Sequence, residues 1–172
     1  MSALNQIIND IDGLTLVNSG DLFKDQLIVM LEHFHMFEDF SESELSSLAN
    51  FLHAYQGEKG TVLFREGDRN KNMCLLIEGR LEVYKEVNQG QHKKLAEIRP
   101  GKSIGEMSVI DGLPNSATVI VGDPSVLILL TRQDLTHLAH SHPQVGVKLL
   151  WHISNLLSQR LRHTSGRLID RL

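Results

Sequence analysis

Between Pro100 and Val119 the chain reads Pro-Gly-Lys-Ser-Ile-Gly-Glu-Met-Ser-Val-Ile-Asp-Gly-Leu-Pro-Asn-Ser-Ala-Thr-Val, a stretch whose residue types suit the binding of a small anion. Gly105 has no Cβ, so a ligand can approach the backbone closely there. Glu106 to Ile110 have the length of one short helical turn, and the leading amides of such a turn have no partner within it. Together with the turn dipole they favour a group carrying one negative charge, such as a phosphodiester. Glu106 stands beside this cradle. Its carboxylate repels phosphate but accepts hydrogen bonds from hydroxyls, and the simpler alternative is that it caps its own turn. Lys102, just upstream, is either a source of positive charge for the cradle or a solvated loop lysine.

A turn of this kind needs a frame, and the hydrophobic period changes twice along the chain. From Leu22 to Phe34 apolar residues recur every three to four positions after Asp21, a candidate cap. Ser41 precedes a second helix, with Glu44 at the capping-box position and Leu45, Leu48, Ala49 and Leu52 on one face. From about Tyr55 the pattern becomes short apolar runs separated by glycines: Thr61–Phe64, Met73–Glu78, Arg80–Val87, Lys93–Ile98, Ala117–Val121 and Val126–Thr131. Short strands at this spacing, without helical crossovers, predict an antiparallel sandwich or jelly roll. Helical spacing returns over Arg132–Ala139 and again from Pro143, where Leu149, Ile153, Leu156 or Leu157, and Leu161 form a stripe. That stripe either packs on its own domain or pairs with the same helix of a second chain. Residues before Asp21 give no clear pattern.

Composition narrows the class. A chain of 172 residues with 41% hydrophobic and 22% charged residues is long enough for one domain with its own core. Lys and Arg total 17 against 21 acidic residues, which gives no global attraction to nucleic acid or anionic membrane. The single cysteine, Cys74, lies in an apolar run, excludes an internal disulfide and fits a reducing compartment. Neither a signal peptide nor a membrane span is legible, so a cytoplasmic location is expected. His137, His140 and His142 crowd a helix end without acidic or cysteine partners at ligand spacing, so no metal site is expected. Arg160, Arg162, Arg167 and Arg171 read as a solvated helix face rather than a nucleic-acid contact. No nucleophile, base and orienting group are spaced as a catalytic set, and the expected class is non-enzymatic.

Several blocks together resemble the cyclic-nucleotide-binding domain family: Phe37 to Ser41, Gly60 to Asp68, Leu76 to Leu81, the Pro100 to Val119 stretch and Arg160 to Arg162. The resemblance implies a mainly β fold, a double-stranded β-helix or jelly-roll β-roll with helices at both ends. The expected division is residues 1–54 as an N-terminal helical segment, 55–131 as the β-roll core, and 132–172 as a hinge helix plus long helix, all in one structural domain. It also implies a ligand site at Ile104, Gly105, Glu106, Met107, Ser108, Asn115, Ser116 and Ala117, with Glu106 accepting from a ribose hydroxyl. Thr164 and Ser165 on the long helix resemble the family's base-contacting pair, although the helix is about one turn longer here, and local hydrogen bonding is their alternative role.

One position departs from the family pattern. Ligand-binding members usually carry arginine before the Ser-Ala or Ala-Ala pair, and this chain has Asn115. Asparagine keeps a donor but has neither charge nor the bidentate fork. The lost charge-assisted bond is worth about 1.5–3 kcal/mol, or roughly one to two orders of magnitude in affinity. Two functions follow as expectations. One is a stand-alone regulatory sensor that binds cyclic AMP or cyclic GMP and signals through its C-terminal helices to an effector protein, as a homodimer through the long helix. The other is a degenerate domain that has lost its ligand and serves dimerisation or docking. The chain ends soon after the long helix, so direct DNA binding through a helix-turn-helix is not expected.

Overall fold

The structure, a computed structural model, describes residues 13–17, 21–69, 71–88 and 90–169. In chain order these form β1 (Leu14–Leu16), α1 (Asp21–Glu32), a 3-10 turn (His35–Phe37), α2 (Glu42–Ala49), β2 (His53–Gly57), β3 (Val62–Phe64), β4 (Asn72–Asn88), β5 (Gln91–Ile98), β6 (Lys102–Ile104), α3 (Glu106–Asp111), β7 (Thr118–Thr131), α4 (Arg132–Ser141) and α5 (Pro143–Ile169). The fold is mainly antiparallel β with helices at both ends, as the sequence predicts.

The frame is the long pair β4 and β7, joined from Asn72↔Thr131 to Tyr84↔Thr118. Sequence spacing divides each of these strands in two. The structure instead runs each as one strand, because the interruptions are register shifts at Leu76/Glu78, Glu78/Arg80 and Arg80/Leu81 and not turns. Such shifts bend a strand and increase its twist without ending it. Gly79 marks the bend with φ +89, and a Cβ there would lie 2.4 Å from the carbonyl oxygen of Pro124. β4 changes partners across the bend, pairing with β6 before it over Cys74–Leu76 and with β5 after it over Leu81–Asn88. β2 and β3 pair with β7, and β1 with β2. The strand pair thus rolls around a core of Leu63, Phe64, Cys74, Leu76, Leu81, Val121, Leu127 and Leu129. Cys74 is fully buried, and burial, followed by the nearby Glu106 carboxylate, pushes its thiol pKa well above the ordinary value. Desolvation makes it an inert core residue.

A second core joins the two ends of the chain. Leu27, Leu31, Phe34 and Phe37 pack with Leu45 and Leu48 and with Leu135, Leu138, Leu149 and Ile153. The capping box before α2 forms as expected: the Glu44 amide donates to Ser41 Oγ at 3.3 Å and the Ser41 amide to Glu44 Oε2 at 2.8 Å. A cap of this kind is worth about 1 kcal/mol. The Ser41 amide, and then Lys148, hold the Glu44 carboxyl below its usual range. Its contribution to stability is therefore in place above the unfolded-state carboxyl range and is lost as pH falls through the lowered folded value. Asp21, expected as the cap of α1, is its first residue.

α4 and α5 meet almost backbone to backbone, since a Cβ on Gly146 would lie 2.7 Å from Ala139 Cα. The first half of α5 is held firmly. Val145, Leu149 and Ile153 are buried, Lys148 Nζ donates to the Asp39 carbonyl at 2.6 Å and Glu44 Oε2 at 2.9 Å, and His152 Nε2 lies 3.0 Å from Asp39 Oδ1. The leucine stripe therefore divides. Leu149 and Ile153 serve the chain's own core, whereas Leu161 is 68% exposed and Val147 and Trp151 stand out at 65% and 72%. Among the described residues, no helix is long and apolar enough to cross a membrane.

Candidate functional site

β6 delivers the chain to Gly105, whose φ of +90 turns it into α3. A Cβ at Gly105 would lie 2.3 Å from the Asn72 carbonyl oxygen and 3.2 Å from the Phe64 ring. The close approach that requires glycine is thus to the protein's own β4, where the sequence suggested a ligand. α3 then folds against the roll with Ser108 and Val109 buried, and Gly112 ends it at φ +70. Opposite this turn lies the far half of α5. Between them is a cavity of about 880 Å³, bounded by Ile104 to Ser108 and Asn115 to Ala117, by Val83, Lys85 and Leu95, and by Leu157, Arg160, Leu161 and Thr164 of α5.

Glu106 is the chemical centre of this wall. Although charged, it is only 2% exposed. A buried carboxylate requires partners, and it has two: Ser103 Oγ donates to Oε1, and Arg160 Nη1 donates to Oε2 at 2.7 Å. Arg160 Nη2 also donates to the Ser103 carbonyl at 2.7 Å, so one guanidinium spans the carboxylate and the strand beside it. The capping alternative for Glu106 is therefore set aside, because its oxygens turn to Ser103 and Arg160.

Asn115 is also drawn inward. It is 6% exposed, its Oδ1 accepts from Ser108 Oγ at 2.9 Å, and its Nδ2 donates to the Arg65 carbonyl at 3.3 Å. Its backbone amide donates to Asp68 and its carbonyl accepts from Gly67, so it pins the Arg65–Asp68 turn to α3. Ser108 and Asn115 thus spend their side chains on each other. Met107 and Ser116 are exposed at the cavity. Thr164 reaches the rim, but its hydroxyl donates to the Arg160 carbonyl at 2.8 Å, the local bond expected as its alternative role. Ser165 is exposed and outside the cavity wall.

Positive charge arrives from places the sequence did not advertise. Lys102 faces a separate, smaller cavity with His35 and His152 and not the cradle, so it is no substitute cation there. Arg160, read in the sequence as part of a solvated basic face, is the partner of Glu106. Lys85 Nζ donates to the Ser116 carbonyl at 2.7 Å and to Glu66. The signals were present: Arg160 precedes Thr164 by one helical turn, and Lys85 continues the inward alternation of Leu81 and Val83. Arg162 is exposed, while Arg171 and the Arg167 side chain lie outside the described residues. Among the described residues no group of three or more His, Cys, Asp or Glu is placed to hold a metal ion, His137, His140 and His142 included.

A β-roll closed by helices around a turn of this geometry defines a class of small-molecule-binding regulatory domains, and comparison with known proteins identifies it. The family model of the cyclic nucleotide-binding domain matches residues 56–142, and the chain belongs to that family. A solved cyclic nucleotide-binding domain from Methylobacillus flagellatus superimposes with a TM-score of 0.80 at 28% identity, covering 93% of this chain and 90% of that one. The cyclic AMP receptor protein of Thermus thermophilus is 27% identical over 127 residues, 74% of this chain and 57% of that protein. Lysophospholipase nte1 of Neurospora crassa is 32% identical over 107 residues, 62% of this chain but 7% of that protein. The chain thus spans well under two thirds of these curated relatives, which carry the domain beside other parts.

Proposed function

We propose that this domain is a regulatory sensor whose cavity takes a cyclic mononucleotide, cyclic AMP or cyclic GMP, and that occupancy is passed through Arg160 and α5 to an effector protein. The observation that carries this reading is the buried Glu106 carboxylate, held between Ser103 and Arg160 at the cavity wall. A ribose hydroxyl donating to Glu106 competes with, or reorders, the Arg160 bond. Ligand chemistry and helix position then become one equilibrium. Such a ligand shifts α5 only to the extent that it prefers one arrangement over the other. The role proposed is one of binding.

The inward turn of Asn115 favours a second reading, a docking domain without a nucleotide. Its oxygen and one amide hydrogen are engaged by Ser108 and the Arg65 carbonyl and the residue is 6% exposed, so it offers a phosphate little. Calorimetric titration of the wild type with cyclic AMP and cyclic GMP separates the two. The sensor reading expects saturable heat from one of them, abolished in Glu106→Ala. Flat titrations with both nucleotides favour the docking role. Asn115→Arg is a poor gain-of-function probe, because it also breaks the bridge from the Arg65–Asp68 turn to α3.

The exposed apolar residues Val147, Trp151 and Leu161 support a homodimer along α5 within this reading. Light scattering is expected to give twice the chain mass and Trp151→Glu half of that. A wild-type monomer at high concentration would remove the dimer.

A further inference from the structure

Among the described residues, four charged side chains line the cavity, Lys85 and Arg160 being the cations and Glu106 and Asp111 the acids. Arg160 is committed to Glu106 and to the Ser103 carbonyl. Lys85 is the other cation, and its position is chemically unusual. In β4 it follows Leu81 and Val83, which are 0% and 7% exposed, at the period-two spacing that turns side chains into the roll. An apolar residue is what that face calls for. The ammonium instead reaches the cavity rim beside Ser116, the residue after Asn115, and donates to its carbonyl oxygen at 2.7 Å.

Glu66 holds the lysine in place from outside. Its carboxylate accepts from Lys85 and from the Glu86 amide at 3.0 Å, and it lines a different cavity with Tyr84 and His92. The backbone amide of Glu66 is itself fixed, donating to Thr118 Oγ1 at 3.0 Å. An ammonium has three N–H donors, of which the described residues engage two. With its side chain 41% exposed, Lys85 can turn the third to a group entering the cavity.

From this we infer that Lys85 is the cationic anchor for the phosphate of the bound nucleotide, supplying from β4 the charge that Asn115 does not. The inference rests on the cavity being a nucleotide site. A lysine makes a point-charge contact and not a bidentate fork, and Glu66 offsets part of its field, so the contact is weaker than one from arginine at position 115.

The test is calorimetric titration of the wild type, Lys85→Met and Lys85→Arg with cyclic AMP and cyclic GMP, with thermal melts of each. Loss of one charge-assisted contact predicts that Lys85→Met binds about 10- to 100-fold more weakly. Lys85→Arg is expected to stay close to wild type. The Sp and Rp phosphorothioates of the same nucleotide provide a second measurement, because a contact to one exocyclic oxygen makes the affinity ratio of the two change in Lys85→Met. Wild-type binding that Lys85→Met leaves within twofold overturns the role of Lys85 and leaves the sensor reading standing. A loss that Lys85→Arg does not reverse assigns the effect to packing and also overturns it. No binding by the wild type removes both.

Discussion

Arg160→Met is expected to lower the melting temperature by about 5–10 °C, a large effect for a residue near the end of a surface helix. The reason lies with its partner. Arg160 is 42% exposed, whereas Glu106 is 2% exposed and, among the described residues, keeps only Ser103 when the guanidinium is removed. Removing one member of a fully buried ion pair costs about 3–5 kcal/mol, and the exposure of Arg160 lowers this to about 2–3 kcal/mol. At this chain length each kcal/mol corresponds to about 2–4 °C. The double variant Arg160→Met with Glu106→Gln should recover most of the loss, because the stranded charge is gone. Thermal melts of the four proteins of this cycle give the coupling directly. A loss in Arg160→Met that matches Lys148→Met, or one that Glu106→Gln does not relieve, would assign the effect to helix packing.

Gly105→Ala is expected to cost about 3 kcal/mol or more. A φ of +90 is strained for any residue with a Cβ, by about 1–2 kcal/mol. The added methyl also meets the Asn72 carbonyl oxygen at 2.3 Å, and that atom belongs to β4 where it pairs with β7, so it cannot yield cheaply. Overpacking of this kind costs about 1–3 kcal/mol in addition. Relief by a shift of β6 and α3 would carry Glu106 away from Arg160, so binding and stability should fall together. Chemical denaturation with a parallel titration checks this, and an alanine variant that keeps wild-type stability would show that the turn is not fixed by Asn72.

Much of this was legible from residues alone. The capping box at Ser41 and Glu44, the two changes of period and the glycine-bounded turn after β6 are local features, and local chemistry writes them into the chain. β3 was legible as the run Thr61–Phe64, whereas β1 and β6, three residues each, are too short to establish a period and only pairing with β2 and β4 makes them strands. Gly79 looks like a stop in the sequence and acts as a bend, because the partner strand carries on past it. The site was half visible. Glu106 and Asn115 stood out by type, but their partners did not: Arg160 is 54 residues from Glu106 and Arg65 is 50 from Asn115. Gly105 has a packing reason that its sequence neighbours do not reveal, since the chain's own Asn72 carbonyl approaches it.

The packing of α5 has a mechanical consequence. From the Gly146–Ala139 contact to Ile153 the helix is built into the wall of the molecule. Leu157 still packs on the core, and Arg160, about 10 Å beyond Ile153 at 1.5 Å per residue, is the polar prop from which about 14 Å of helix overhangs to Ile169. Among the described residues, the polar bonds from this outer half to the roll all come from Arg160. A beam clamped at one end and propped at one point has its tip stiffness set by that prop. Whatever loosens Arg160 lengthens the free span to about 18 Å, measured from Leu157, and softens the tip without disturbing the clamp. Under the proposed sensing role, the message such a helix would carry is a change in compliance as much as a change in position.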